Sequence, residues 1–145
     1  MQYTIDDTLN YILFLTRHIR RRNVPGAILA VLMELRCPEH HEGFGYLRKA
    51  IFLRFGNSDL RIGLIYQSIA ELCDTGTTTN QIDQDIRAVI GTAWASRDEE
   101  KWELIFPTDE KTAAGKPSNG KFIARFGCLM ELWNDCCEEG CYAGK

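Results

Sequence analysis

The stretch 60–96, LRIGLIYQSIAELCDTGTTTNQIDQDIRAVIGTAWAS, decides the fold. Ile62, Ile65, Ile69 and Leu72 recur at helical spacing, and Asn57-Ser58-Asp59 ahead of them offers a cap for a helix over Leu60 to Cys73. Asp74-Thr75-Gly76-Thr77-Thr78-Thr79 reads as a turn. A second helix, from Asn80 to Ser96, turns Ile82, Ile86, Val89, Ile90 and Ala93 inward. Two helices joined by a short Thr/Gly-rich turn match a helix-turn-helix unit, whose second helix enters the major groove with its N-terminal half toward the base edges. Opposite the apolar stripe lie Asn80, Gln84, Arg87 and Gly91, with Gln81 and Ala88 beside them. Asn and Gln pair with adenine and Arg with guanine. Asn80, Gln81, Gln84 and Arg87 are therefore the candidate base readers.

Helical periodicity continues outward in both directions. Ile5, Leu9, Ile12, Leu13 and Ile19 form a stripe on a helix starting near Thr4 and ending in the cluster Arg17, His18, Arg20, Arg21, Arg22. Tyr11, Phe14 and Leu15 widen its apolar surface almost all round, which marks a helix that is deeply buried or meets a partner. Asn23-Val24-Pro25-Gly26 breaks the pattern. Further helices fit Ala27 to Leu35, Gly43 to Phe55 and Asp98 to Phe106. Pro107 to Pro117 reads as a loop, and Ser118 caps a final helix reaching about Trp133. The expected fold is all-α, a compact bundle of about six to seven helices. The division along the chain is an N-terminal amphipathic helix with linker (1–24), a helix-turn-helix domain (25–135) and a Cys-containing tail (136–145). Trp94 and Trp102 are expected to anchor the core.

Composition closes off several function classes. The 145 residues carry 45% hydrophobic and 26% charged side chains, a globular balance. Seventeen Lys/Arg against twenty Asp/Glu leave a net charge of −3, which excludes a uniformly basic coating protein. The two parts differ in sign: residues 1–61 hold nine basic and six acidic residues, and 62–145 hold eight and fourteen. An anion-binding surface must therefore be local. The apolar run Tyr11–Leu15 is far short of the ~20 residues a membrane span needs, so no membrane partner is expected. Six cysteines without secretory context read as reduced cytosolic thiols, which places the chain in the cytoplasm. Neither Cys136, Cys137 and Cys141 nor Cys37, His40 and His41 has the paired spacing of a metal site, so no metal or cofactor is expected. Phosphate loops and nucleophile motifs are missing too, and the chain does not read as an enzyme.

Three blocks carry a family resemblance: CPEHHEGFGYLRKAI (37–51), IRAVIGTAW (86–94) and KPSNGKFIA (116–124). They resemble the C-terminal effector domain of the sporulation-initiation response regulator of endospore-forming bacteria. That family shows a Pro, a His, a Gly-aromatic step and YLREAI in the first block, IRHAIEVAW in the second and KPTNSEFIA in the third. The order agrees and the spacing is compatible, over roughly residues 27–132. The resemblance implies an all-helical DNA-binding domain with its recognition helix at 80–96.

The departures are physical. The family's recognition helix reads approximately Ser-Arg-Val-Glu-Arg-Ala-Ile-Arg-His, whereas Asn80 to Ala88 reads NQIDQDIRA. Two arginines and the histidine are replaced, Asp85 adds a negative charge, and Arg87 is the surviving cation. The preceding turn is about one residue longer. Phosphate neutralisation supplies much of the affinity of any DNA-binding protein, so other contacts are required. Thr77, Thr78 and Thr79 at the helix N-terminus, where free N–H groups favour phosphate, are candidates. Lys116 is another, with Lys121, Arg48 and Lys49 as further sources of charge.

About 25 residues precede the resemblance, too few for the family's phosphoacceptor domain. The resulting expectation is a sequence-specific regulator of transcription that binds double-stranded DNA without a phosphoacceptor domain of its own. The alternative is a protein-interaction module on the same fold. Residues 5–19 are expected to form a homodimer contact, in competition with folding back onto the chain's own core.

Overall fold

The computed structural model describes residues 3–73, 76–107 and 115–139, with side chains through Cys136. Seven helices occupy these residues: α1 (Ile5–Leu15), α2 (Val24–Glu34), α3 (Glu42–Arg54), α4 (Ile62–Leu72), α5 (Thr79–Ala95), α6 (Glu99–Ile105) and α7 (Asn119–Glu139). The all-α expectation is met, with no strand among the described residues.

The central helix is α3, which packs against α2, α4, α5 and α7. It buries Phe44, Leu47, Ala50 and Ile51. Against α5 the contact is backbone to backbone. A Cβ added at Gly43 would overlap the Asp85 carbonyl and stand 2.9 Å from Val89 Cγ2. Only glycine lets the two helices meet so closely. All five inward residues expected on α5 are buried. Trp102 is buried as expected, stacked edge-on with Trp94 at 5.4 Å between ring centroids.

Several boundaries differ from the sequence reading. Asn23-Val24-Pro25-Gly26 starts a helix instead of breaking one: Gly26 N donates to Asn23 Oδ1 at 3.1 Å, and Pro25 falls in the first turn, where its missing N–H costs nothing. At the end of α3, Asn57 Nδ2 donates to the Leu53 carbonyl at 2.8 Å. Asn57 therefore closes α3, and α4 begins at Ile62 behind Arg61 with no side-chain cap. Leu72, expected inside, is 68% exposed, while Tyr66 is buried in the same helix. Ser118 does cap α7, accepting from Lys121 N at 3.2 Å. That helix continues to Glu139, so the segment expected as a tail from residue 136 begins as helix. Cys141 lies outside the described residues.

The first helix starts near Thr4 as expected, in a capping box: the Thr4 hydroxyl oxygen accepts from Asp7 N, and the Asp7 carboxylate accepts from Thr4 N. It ends at Leu15, before the basic cluster, and Ile19 follows it in a turn. It lies on α2, α6 and α7 of its own chain. Leu9 and Ile12 are buried there, while Ile5 and Phe14 stay 44% and 58% exposed. The expected apolar stripe is thus used largely within the single chain.

Candidate nucleic-acid interface

The site is built on α5, whose start is fixed by Thr78: Gln81 N donates to Thr78 Oγ1 at 3.1 Å. In that cap the Thr78 oxygen is the acceptor, and its O–H keeps a proton to donate. Thr79 and Asn80 are exposed in the first turn, and Thr77 is half-buried before it. Since one side of α5 is sealed against the core, the opposite stripe is set by helical geometry. Asn80, Gln81, Gln84, Arg87 and Ala88 all lie exposed on it.

Lys116 joins this stripe from the chain segment before α7. Its Nζ stands 3.6 Å from where a Cβ on Gly91 would be. Gly91 follows Arg87 by one turn, so the ammonium extends the polar stripe toward the C-terminal half of α5.

Beneath the stripe is a buried polar junction that the sequence reading missed. Arg87 Nη2 donates to Asp83 Oδ2 at 2.8 Å. The other oxygen, Asp83 Oδ1, accepts from the Tyr66 hydroxyl at 2.7 Å and from Asn119 Nδ2 at 3.0 Å. Asn119 Nδ2 also reaches the Asp83 main-chain carbonyl at 2.9 Å. Tyr66 and Asn119 are both buried. Burial, reinforced by the Asp83 carboxylate, pushes the Tyr66 phenol well above its ordinary value, so it stays a donor. The junction ties α4, α5 and α7 together. It also absorbs the Asp83 charge, which on composition alone counts against an anionic ligand. The Asp83/Arg87 pairing at i, i+4 was a readable signal; Tyr66 and Asn119 gave none.

Other expected contributors fall elsewhere. Asp85 is half-buried where α5 meets α3. Lys121 is exposed in the first turn of α7. Arg48 and Lys49 line a groove with Pro25 and Ile28 of α2, apart from the α5 stripe. Cys37 is buried, which pushes its thiol up to about 12, and His41 Nδ1 accepts from Gly43 N at 2.9 Å to cap α3. Among the described residues no cluster of His, Cys, Asp or Glu is arranged to hold a metal ion. No helix among them is long and apolar enough to cross a membrane.

The family model for the sporulation initiation factor Spo0A C terminal matches residues 28–128. The match takes in α2 from Ile28 onward, α3 to α6 and the first half of α7, including the whole of the α5 stripe and the junction beneath it; α1 precedes it. This is a family of transcription-factor domains and not of enzymes. The chain belongs to the Spo0A C-terminal family, the DNA-binding effector domains of sporulation regulators.

Proposed function

We propose that this domain is a sequence-specific regulator of transcription, with α4 and α5 acting as its helix-turn-helix and the outer stripe of α5 lying in the major groove. The observation that carries the reading is the single exposed row Asn80, Gln84 and Arg87, extended by the Lys116 ammonium over Gly91. In this reading Asn80, Gln81 and Gln84 address adenine edges and Arg87 a guanine. Thr77, Thr78 and Thr79, with the free N–H groups of the first turn that Thr78 orders, meet one phosphate, and Lys116 meets another. Asp83 engages Arg87 through one nitrogen. A guanidinium has five N–H donors in all, so donors remain for a base. The fixed partner lowers the entropy cost of ordering the Arg87 side chain.

Fluorescence anisotropy with duplex DNA at several salt concentrations tests the proposal. Arg87→Ala is expected to weaken binding to the preferred site by about 1–3 kcal/mol and to relax selection at one base pair. Gln84→Arg is expected to strengthen non-specific binding and steepen its dependence on salt. Equal affinity of Arg87→Ala and parent, with an unchanged slope for Gln84→Arg, overturns the placement of α5 in the groove. Binding in this proposal needs no phosphoacceptor domain, so acetyl phosphate leaves the affinity unchanged.

Each chain is taken as one reading unit. A homodimer through residues 5–19 would have chiefly Ile5 and Phe14 to bury, because Leu9 and Ile12 are used internally. Two side chains supply far less than the roughly 1,200 Å² of a stable interface. Sedimentation of the intact chain at tens of micromolar is expected to give a monomer, and a dimer at that concentration restores the contact.

A further inference from the structure

On the side of α3 turned away from α5, Gly45, Arg48, Lys49 and Phe52 face Pro25 and Ile28 of α2 across a groove of about 380 Å³. Gly45, in the interior of a 13-residue helix, lines it without a side chain. A Cβ added at Gly45 would meet nothing within 4 Å, so no packing partner requires glycine there. Glycine inside a helix is less stable than alanine. What Gly45 leaves is open space on the α3 side of the groove.

The walls carry the chemistry of the occupant. Phe52 is 48% exposed and stacks against Phe55 at 6.4 Å, giving a rigid aromatic side. Arg48 and Lys49 are exposed, and among the described residues neither forms an ion pair. The only acid on α3, Glu42, occupies its first turn, where the helix dipole favours it. On a chain of net charge −3, this is a local cationic rim around an apolar slot.

We propose that the α2–α3 groove docks an acidic peptide segment of a partner protein. One bulky apolar side chain of that segment sits over Gly45 between Ile28 and Phe52, and its carboxylates meet Arg48 and Lys49. The slot calls for an apolar anchor, which a DNA backbone or a free phosphate does not have. Its concave shape between two helices suits a side chain better than the plane of a bilayer. The surface is separate from the α5 stripe and does not depend on the DNA-binding proposal.

The test uses the full chain and a fluorescein-labelled acidic peptide with Phe and Leu at i, i+4 spacing. Saturable binding is expected, lost at least tenfold in Gly45→Leu, which fills that space, and at least tenfold in Lys49→Glu. Gly45→Ala, whose small Cβ has room, is expected to keep the affinity and raise the thermal midpoint, which shows that α3 tolerates a side chain there. Arg87→Ala is expected to bind the peptide like the parent. Absence of saturable binding, or equal binding by parent, Gly45→Leu and Lys49→Glu, overturns the proposal. So does binding of duplex DNA or of phosphatidylserine vesicles that Gly45→Leu and Lys49→Glu abolish together, since the groove would then serve a different class of partner.

Discussion

Helices α5 and α1 are both amphipathic, yet different forces seat them. The apolar side of α5 disappears completely into α3, α4 and α7, with a backbone contact at Gly43 as its tightest point. The apolar side of α1 buries Leu9 and Ile12 but leaves Ile5 and Phe14 exposed, and named hydrogen bonds add to its hold. Thr8 Oγ1 donates to the Leu104 carbonyl at 2.6 Å, and Trp133 Nε1 donates to Thr16 Oγ1 at 2.9 Å. The Tyr11 hydroxyl donates to Glu34, which also pairs with Lys101 Nζ at 3.1 Å. Shape fixes the helix that carries the proposed reading face, while a few polar atoms help fix the helix outside the family match. The first seat fails by misfit and the second by a missing partner.

Gly43→Ala attacks the first seat and is expected to have the largest effect. Its Cβ would push against main-chain atoms of Asp85, which cannot yield as a side chain end does. A loss of about 3 kcal/mol or more in urea unfolding is expected. A loss below about 1 kcal/mol would mean that α3 and α5 separate at little cost.

Thr16→Val attacks the second seat. Thr16 and Trp133 are both buried, so the change strands the indole N–H without an acceptor. The expected cost is about 1–3 kcal/mol, with faster proteolysis of α1 and slower change elsewhere. An unaltered midpoint together with unaltered α1 protection would show that the bond does not hold the helix.

The smallest effect sharpens the same comparison through pH. Partial burial works to raise the Glu34 carboxyl, but hydrogen bonds from Tyr11 and Lys101 and the Lys101 charge outweigh it, and the net shift is downward from 4.5. A folded value below the unfolded one stabilises the protein above pH 4.5. That stability disappears as pH falls through the folded value. Glu34→Gln should therefore be less stable than the parent at neutral pH, by less than about 1 kcal/mol, and the gap should close in acid. A gap that stays constant with pH would remove the charge on Glu34 from the account of α1.

The same contrast explains what the sequence made legible. The inner residues of α5 repeat with the helix period, and the outer stripe is their complement, so Asn80, Gln81, Gln84 and Arg87 were readable as exposed from the chain alone. Tyr66 was not, because its burial depends on Asp83 and Asn119 arriving from two other helices. Leu72 was assigned inward for the complementary reason: period alone does not show where a helix runs out of neighbours. Pro25 and Gly26 read as breakers until the Asn23 cap made them a first turn. Lys116 and the pair Arg48/Lys49 looked alike as sources of charge. The fold brings one over Gly91 and sends the others to α2, a separation that depends on how α2, α3 and α7 pack.

The long reach of the α1 contacts sets an order of assembly. Thr8 and Leu104 are 96 residues apart, and Thr16 and Trp133 are 117 apart. During synthesis α1 leaves the ribosome ahead of α6 and α7, which carry the atoms that hold it. At roughly 5–20 residues per second the wait lasts on the order of ten seconds. Through that interval Leu9 and Ile12 have no α7 to cover them. Asp6 and Asp7, both in the first turn of α1, keep that waiting segment charged until its dock has been made.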